Sequence, residues 1–186
     1  MPGEVNLGRV IDQLERASAL SRPDLLAAPV VDALQALGGL AASVEVTRID
    51  PELADTAAFC ARYGVAPEES ANCVVVAAKR AGEQWLAACV VLASTRADVN
   101  GLVRRHLGAR KVSFAPMELA VAETGMEYGG ITPIGLPEAW PLLVDAHVVA
   151  TDRVIVGSGI RGSKLVLPGT ALAALPKAEV LPSLGL

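Results

Sequence analysis

Aromatic residues are almost missing from this 186-residue chain: two Phe, two Trp and two Tyr make up 3% of it. So sparse a set disfavours an aromatic stacking platform for single-stranded nucleic acid. Cysteine is scarce as well, with Cys60, Cys73 and Cys89 alone. Their odd number and irregular spacing fit neither a disulfide framework, nor a zinc site, nor a redox pair. Cys73 and Cys89 lie in apolar runs and read as inert buried thiols, with a reactive thiol as the other reading. There is no apolar run of about 18 residues, and stretches such as 73–78 are too short to cross a bilayer. The N-terminal stretch MPGEVNLGRVIDQLER lacks the apolar core of a signal peptide, so a cytoplasmic location is expected. Basic charge is not in excess either: the net charge of -4 gives no global attraction to nucleic acid, and any such contact must be local.

What is present is a core-forming composition, 52% hydrophobic and 19% charged, which fits one folded domain. Leu7, Val10, Ile11 and Leu14 recur at helical spacing, so residues 1–28 are expected as a helical extension, broken by Ser21-Arg22-Pro23, ahead of a domain over 29–186. Pro29 opens a helix to Leu37 that Gly38-Gly39 closes. Alternation over Ser43–Ile49 predicts a half-buried strand. Asp50-Pro51 then caps a helix expected to run unbroken to Tyr63 and to stop at Gly64. Two apolar runs, 72–79 and 84–93, joined by Arg80-Ala81-Gly82-Glu83, predict a central hairpin. Thr95 and Asp98 read as a capping box before a helix with Val99, Leu102, Val103 and Leu107 on one face, stopped at Gly108. A strand over Lys111–Phe114, a helix from Pro116 to Gly125, strands near 142–144, 153–156 and 164–167, and a last helix near 170–175 complete the pattern. Strands and helices interleave irregularly, so the expected class is α+β: a mixed, mostly antiparallel curved sheet, barrel-like, surrounded by helices.

Two glycine-rich segments stand out. Residues 125–137 carry four glycines and two prolines and include Gly129-Gly130-Ile131-Thr132-Pro133-Ile134-Gly135. Paired glycines admit close approach of a ligand and can aim N–H groups at a carbonyl or anion, while Pro133 stiffens the loop. A tight surface turn explains the pattern equally simply. The second segment, Gly157-Ser158-Gly159-Ile160-Arg161-Gly162, offers Ser158 as a hydrogen-bonding group and Arg161 for a phosphate or carboxylate; it matches neither a P-loop nor a dinucleotide fingerprint. A strand-to-strand turn is its plain alternative. Asp145, His147 and Ser158 form a triad only on paper, since nothing in their spacing supports it. His106 sits beside an apolar stripe and reads as half-buried. No ligand cluster suggests a metal. Arg104, Arg105, Arg110 and Lys111 make the densest basic patch, either a phosphate-binding surface or a solvated helix end.

Taken in order, several segments resemble the YbaK-type family, which includes the editing domain inserted in or associated with prolyl-tRNA synthetases. Gly64-Val65-Ala66-Pro67-Glu68 resembles the helix end before the family's first core strand, and Leu107-Gly108-Ala109-Arg110-Lys111-Val112 its Leu-Gly-Ala-Lys-Lys stretch. Residues 129–135 match Gly-Gly-Ile-Ser/Thr-Pro-Leu/Ile-Gly, which holds the family's Gly-x-x-x-Pro signature. Val144-Asp145-Ala146 matches Ile/Val-Asp-Ala, and 157–162 resembles Ser-Gly-Gly-Lys-Arg-Gly. The resemblance spans roughly residues 30–180. It implies an aminoacyl-tRNA deacylase that acts in trans on the 3′ end of a mischarged tRNA, with an aminoacyl-tRNA synthetase as a further partner, no DNA or membrane partner, and no cofactor or metal. Gly129, Gly130, Ile131, Thr132 and Pro133 would hold the ester; Asp145, Gly157, Ser158, Gly159 and Arg161 would bind substrate.

The chain departs from the family in the charges around that loop. The lysine at the start of the family's core strand falls on Asn72, which brings hydrogen bonds but no charge. Lys79 lies seven residues further on, on the opposite face of the strand. The family's turn serine falls on Gly157, and an acidic residue expected after the turn is replaced near Lys164. Asn72 is therefore expected to bind the terminal nucleotide or amino group. Two other readings follow from the same changes: a binding protein that has lost hydrolysis, and an esterase for a small non-tRNA substrate.

Overall fold

The structure, a computed structural model, describes residues 14–186. The helix expected from Leu7, Val10 and Ile11 lies outside the described residues. Two sheets form the body. The first contains β1 (Ala17–Ser18), β2 (Glu45–Arg48), β7 (Val154–Gly157) and β8 (Ser163–Leu167) in the order β1-β2-β8-β7, all antiparallel. The second contains β3 (Ala71–Arg80), β4 (Glu83–Leu92), β5 (Lys111–Phe114), β6 (Leu142–Asp145) and β9 (Ala178–Leu181) in the order β5-β3-β4-β6-β9. Its β4-β6 and β6-β9 pairs are parallel. The sheets adjoin through one parallel bridge, Ser70 to Ile155, without closing. The class is thus α+β, as expected, but the barrel-like sheet is two open sheets meeting along a seam. The largest core cluster, with Val30, Leu34, Val90, Met126, Val144, Val156 and Leu165, lies between them.

The helices are α1 (Ala28–Ala36), α2 (Thr56–Tyr63), α3 (Arg104–His106) extended N-terminally by a π turn over Val99–Val103, α4 (Met117–Thr124), α5 (Ala146–Val149) and α6 (Gly169–Ala173). Three local expectations change. The segment from Pro51 to Tyr63 is not one helix: a 3-10 turn, Pro51–Leu53, ends at Ala54, and α2 starts afresh behind Asp55. Asp55 accepts from the N–H groups of Ala57 and Ala58 at 3.0 and 3.3 Å, so an internal cap wins over continuation. Thr95 is no cap, since its hydroxyl turns back to Leu92 O at 3.0 Å; Asp98 alone accepts from Gly101 and Leu102 N–H at 2.9 and 2.7 Å. Finally, α5 and β9 were not anticipated. Asp145 ends its strand and caps α5, and the apolar tail adds a parallel strand to β6.

Residues 17–26 pack into the body. Ala17 and Ser18 pair with Val46 and Glu45, and Ala19, Leu25 and Leu26 are buried in the main cluster.

Candidate functional site

A cleft of about 440 Å³ opens at the seam between the sheets. The start of β3 gives it Asn72 and Val74, the end of β5 gives Phe114, and α4 gives Met117. Gly129 and Ile131 come from the loop after α4, Gly157 and Arg161 from the β7–β8 turn, and Lys164 from β8 itself. Asp55 and Thr56, at the start of α2, complete one wall.

The two glycine-rich segments lock together to form the cleft's inner edge. A Cβ on Gly130 would stand 2.7 Å from the carbonyl carbon of Ile160, and one on Gly157 would run into the carbonyl oxygens of Gly130 and Ile131. Only glycine leaves room for that approach. Gly159 N–H donates to Gly130 O at 2.7 Å, and Glu127 N–H to Gly159 O at 2.8 Å. Gly129 adopts φ +83°, in the left-handed region. The N–H of Gly130 is spent on Glu127 O at 2.9 Å. Among the described residues, those of Gly129 and Ile131 have no acceptor within the chain, so they are available to a ligand carbonyl or oxyanion.

The polar side chains of the cleft include the Asn72 amide, the Asp55 carboxylate, the Thr56 hydroxyl and two cations, Arg161 and Lys164. Asn72 Oδ1 accepts from Thr56 Oγ1 at 2.6 Å, which ties β3 to α2. Arg161 Nη1 donates to Tyr128 O at 3.2 Å, and its backbone N–H to Glu127 Oε2 at 2.6 Å. Lys164 is only 5% exposed. Its Nζ donates to Ala54 O at 2.8 Å and lies 5.5 Å from the centre of the Phe59 ring. Burial pulls its pKa down to about 8 against the favourable fields of Cys60 and Asp55, and the Arg161 charge lowers it further. Sequence reasoning noted Lys164 only as standing near where the family keeps an acid. The usable signal was alternation: Lys164 shares its strand face with Val166, which packs with Phe59 and Cys60 of α2.

The structure brings Asn72, Gly129, Ile131, Gly157 and Arg161 to this cleft, with Gly130 buried beneath its edge. It sets the remaining candidates elsewhere. Thr132 is fully buried with no partner for its hydroxyl among the described residues, and Pro133 borders a groove behind the loop with Pro29 and Trp140. The Ser158 hydroxyl is buried 2.7 Å from Ser163 Oγ, and Gly159 packs on Ala27. Asp145 caps α5: its Oδ1 meets His147 N–H at 2.7 Å and His147 Nδ1 at 2.9 Å, and its Oδ2 accepts from Gly185 N–H at 2.6 Å. Asp145 and His147 thus meet at the helix cap where the strand ends. Ser158 is not part of that pair. His106 is exposed rather than half-buried, with its side chain 28% accessible and its Nε2 2.8 Å from Glu179 Oε2. Burial raises the pKa of all three cysteines, Cys89 to about 12.

A second, shallow groove at the far end of β3 is lined by Arg80, Arg104, Arg105 and Arg110. Lys79 and Lys111 sit opposite each other on β3 and β5 beside it, both exposed. Arg80 lies eight residue steps along the strand from Asn72, roughly 27 Å at about 3.4 Å per residue.

Among solved structures, a candidate trans-editing enzyme for prolyl-tRNA synthetase shares the fold at TM-score 0.71 and 20% identity, over 84% of this chain and 94% of that one. A hypothetical protein does so at TM-score 0.70 and 23% identity, over 82% and 96%. A candidate signal transduction protein from Marinobacter aquaeolei VT8 matches at TM-score 0.52 and 18% identity, over 82% of this chain but 30% of that one. The family model for the aminoacyl-tRNA editing domain matches residues 50–175, which takes in every segment that lines the cleft. The chain therefore belongs to the aminoacyl-tRNA editing domain family, in its YbaK-type form.

Proposed function

We propose that this protein is a free-standing aminoacyl-tRNA deacylase, which hydrolyses in trans the ester between a wrong amino acid and the 3′-terminal ribose of a tRNA. The observation that carries this reading is the interlocked pair of glycine-rich segments at the cleft edge, where the Gly129 and Ile131 N–H groups have no acceptor among the described residues. In this reading water adds to the ester carbonyl, and the two N–H groups hold the oxygen on which negative charge develops. The bond to the ribose oxygen then breaks, that oxygen takes up a proton, and the amino acid leaves as a carboxylate. The resemblance to the family assigns activation of the water to the neighbouring ribose hydroxyl, so positioning is the protein's main contribution.

Phe114 and Tyr128, 64% and 61% exposed, flank the cleft beside Met117. They are half of the chain's Phe and Tyr residues, and one of them stacks the terminal adenine in this reading. The arginine groove at the far end of β3 takes phosphates of the acceptor stem. A synthetase partner is part of the same proposal and draws on the trans-editing description of a structural relative.

The test is release of amino acid from a panel of mischarged tRNAs. Release from at least one pairing, at a rate far above spontaneous hydrolysis, is expected. Binding of aminoacyl-tRNA with no release from any pairing would leave a binding protein instead, a reading favoured by one observation, the uncharged Asn72 at the head of β3.

A further inference from the structure

We propose that Lys164 is the phosphate-holding cation of the cleft, supplying from β8 the charge that Asn72 lacks at the head of β3. The inference rests on the cleft being the substrate site proposed above. Its evidence is the geometry of a buried charge. Lys164 comes from a strand whose residues are all buried, yet it lines an open cleft. Among the described residues no carboxylate lies within salt-bridge distance of its Nζ. Its one hydrogen bond, to Ala54 O, leaves two N–H bonds of the ammonium unassigned. A buried ammonium without a counter-ion is costly, and an anion that joins it offsets the cost while the lysine stays charged.

The neighbouring groups decide which anion. Arg161 adds a second positive charge to the same cleft, and two cations suit a phosphate better than a single carbonyl oxygen. The carbonyl oxygen is already provided for by the Gly129 and Ile131 N–H groups. A lysine here meets phosphate as a point charge and needs no fixed fork, so it can act from a different strand than the family's lysine does. Asn72, bonded to Thr56, is left as a neutral neighbour that does not repel it.

The experiment measures binding of AMP and of adenosine to the full chain and to Lys164→Met. These differ only in a phosphate, and neither needs hydrolysis. The wild type should bind AMP more tightly than adenosine by roughly ten- to a hundredfold, the range of a charge-assisted hydrogen bond. Lys164→Met should lose most of that preference and keep its adenosine affinity. Should the variant fail to fold, the wild-type pH series decides. The charged and titratable groups facing Lys164 are Asp55 and Cys60 from the α2 side and Arg161 from the β7–β8 turn. Burial raises the Cys60 pKa, and Lys164 itself changes charge near pH 8, so the AMP preference should weaken from pH 7 to 9.5 while adenosine binding holds.

No preference for AMP in the wild type, an undiminished one in Lys164→Met, or a preference that is flat across that pH range overturns the proposal. The deacylation panel is a separate readout. A chain that releases no amino acid but shows a Lys164-dependent AMP preference refutes the deacylase and keeps this subsite. Deacylation with no such preference does the reverse.

Discussion

At the scale of single residues, Gly130 and Gly129 fail differently when replaced. Gly130 has ordinary backbone torsions, so alanine there brings no backbone strain, but its Cβ would press on the main chain of Ile160, which cannot swing aside. The loop itself must move, and displacement of an oxyanion donor by an ångström is worth about two orders of magnitude in rate. Gly130→Ala should therefore lower kcat/KM about a hundredfold, and the overpacked contact should lower the melting temperature without any torsional contribution. Gly129→Ala meets the flexible guanidinium of Arg161 and carries strain of about 1–2 kcal/mol from its left-handed torsion, so its loss should show in the thermal melt as well. A Gly130→Ala enzyme with unchanged turnover would remove the loop from the mechanism. Asn72 offers the complementary test. If Lys164 already holds the phosphate, Asn72→Lys adds a third cation and gives no gain alone, yet it should restore turnover in the Lys164→Met background; activation of the wild type by Asn72→Lys would contradict this. The glycines, Asn72 and Arg161 could be read from sequence because their motifs are local. Lys164 was harder to read: alternation puts it on a strand face with Val166, but what makes it unusual is the helix that covers that face.

At the scale of elements, short-range signals carried furthest. The β3–β4 hairpin and the αL stops at Gly64, Gly108 and Gly125 all follow from neighbouring residues. Strand β9 does not, since it joins β6 in parallel after a long crossover and its own pattern is half-exposed. The break before α2 was hidden because Asp50 and Asp55 both make good caps, and only packing selects the second as the helix start. The hairpin turn is two residues, Ala81 and Gly82, both at positive φ (51° and 86°). Alanine is strained there, as the turn prefers Asn or Gly at its first position. Ala81→Asn should stabilise the protein by about 0.5–1 kcal/mol in denaturant melts, with turnover of a short aminoacylated oligonucleotide that ends before the arginine groove unchanged, because the turn is at the far end of β3 from the cleft. The N-terminal segment gives the opposite expectation. A chain starting at Pro29 loses β1 and uncovers the apolar residues that Ala19, Leu25 and Leu26 pack against. It should melt at markedly lower temperature than the full chain, as each buried leucine removed costs about 2–5 kcal/mol.

At the scale of the whole molecule, the net charge of -4 and the arginine groove at the far end of β3 pull in opposite directions. The groove lies roughly a single-stranded tail's length from the cleft, about 27 Å by strand rise. Replacing Arg104, Arg105 and Arg110 together by Gln should raise KM for full-length tRNA and flatten its salt dependence, since each phosphate contact contributes close to one unit of slope. Turnover of a short aminoacylated oligonucleotide that ends before the groove should stay the same, and an equal loss on both substrates would move the groove out of tRNA binding.

The buried lysine also marks the stability of the whole chain. Its folded pKa, about 8, lies below the unfolded value of 10.5. Between those values the unfolded chain holds a proton that the folded chain has released, so this group makes the fold relatively more stable as pH rises through that window. The shift corresponds to about 3 kcal/mol. The cysteines act against it above about pH 9, because their folded thiols ionise later than unfolded ones. Raw stability is therefore a poor readout, and the difference from Lys164→Met isolates the lysine. Wild type should gain on the variant by about 3 kcal/mol between pH 7 and pH 11 in urea melts, most of it between pH 8 and 10.5. A constant difference would mean that Lys164 is well solvated in the folded protein. A rising one means that at neutral pH the fold carries an unpaired cation, a stability cost of the kind that binding sites accept when the charge awaits a ligand.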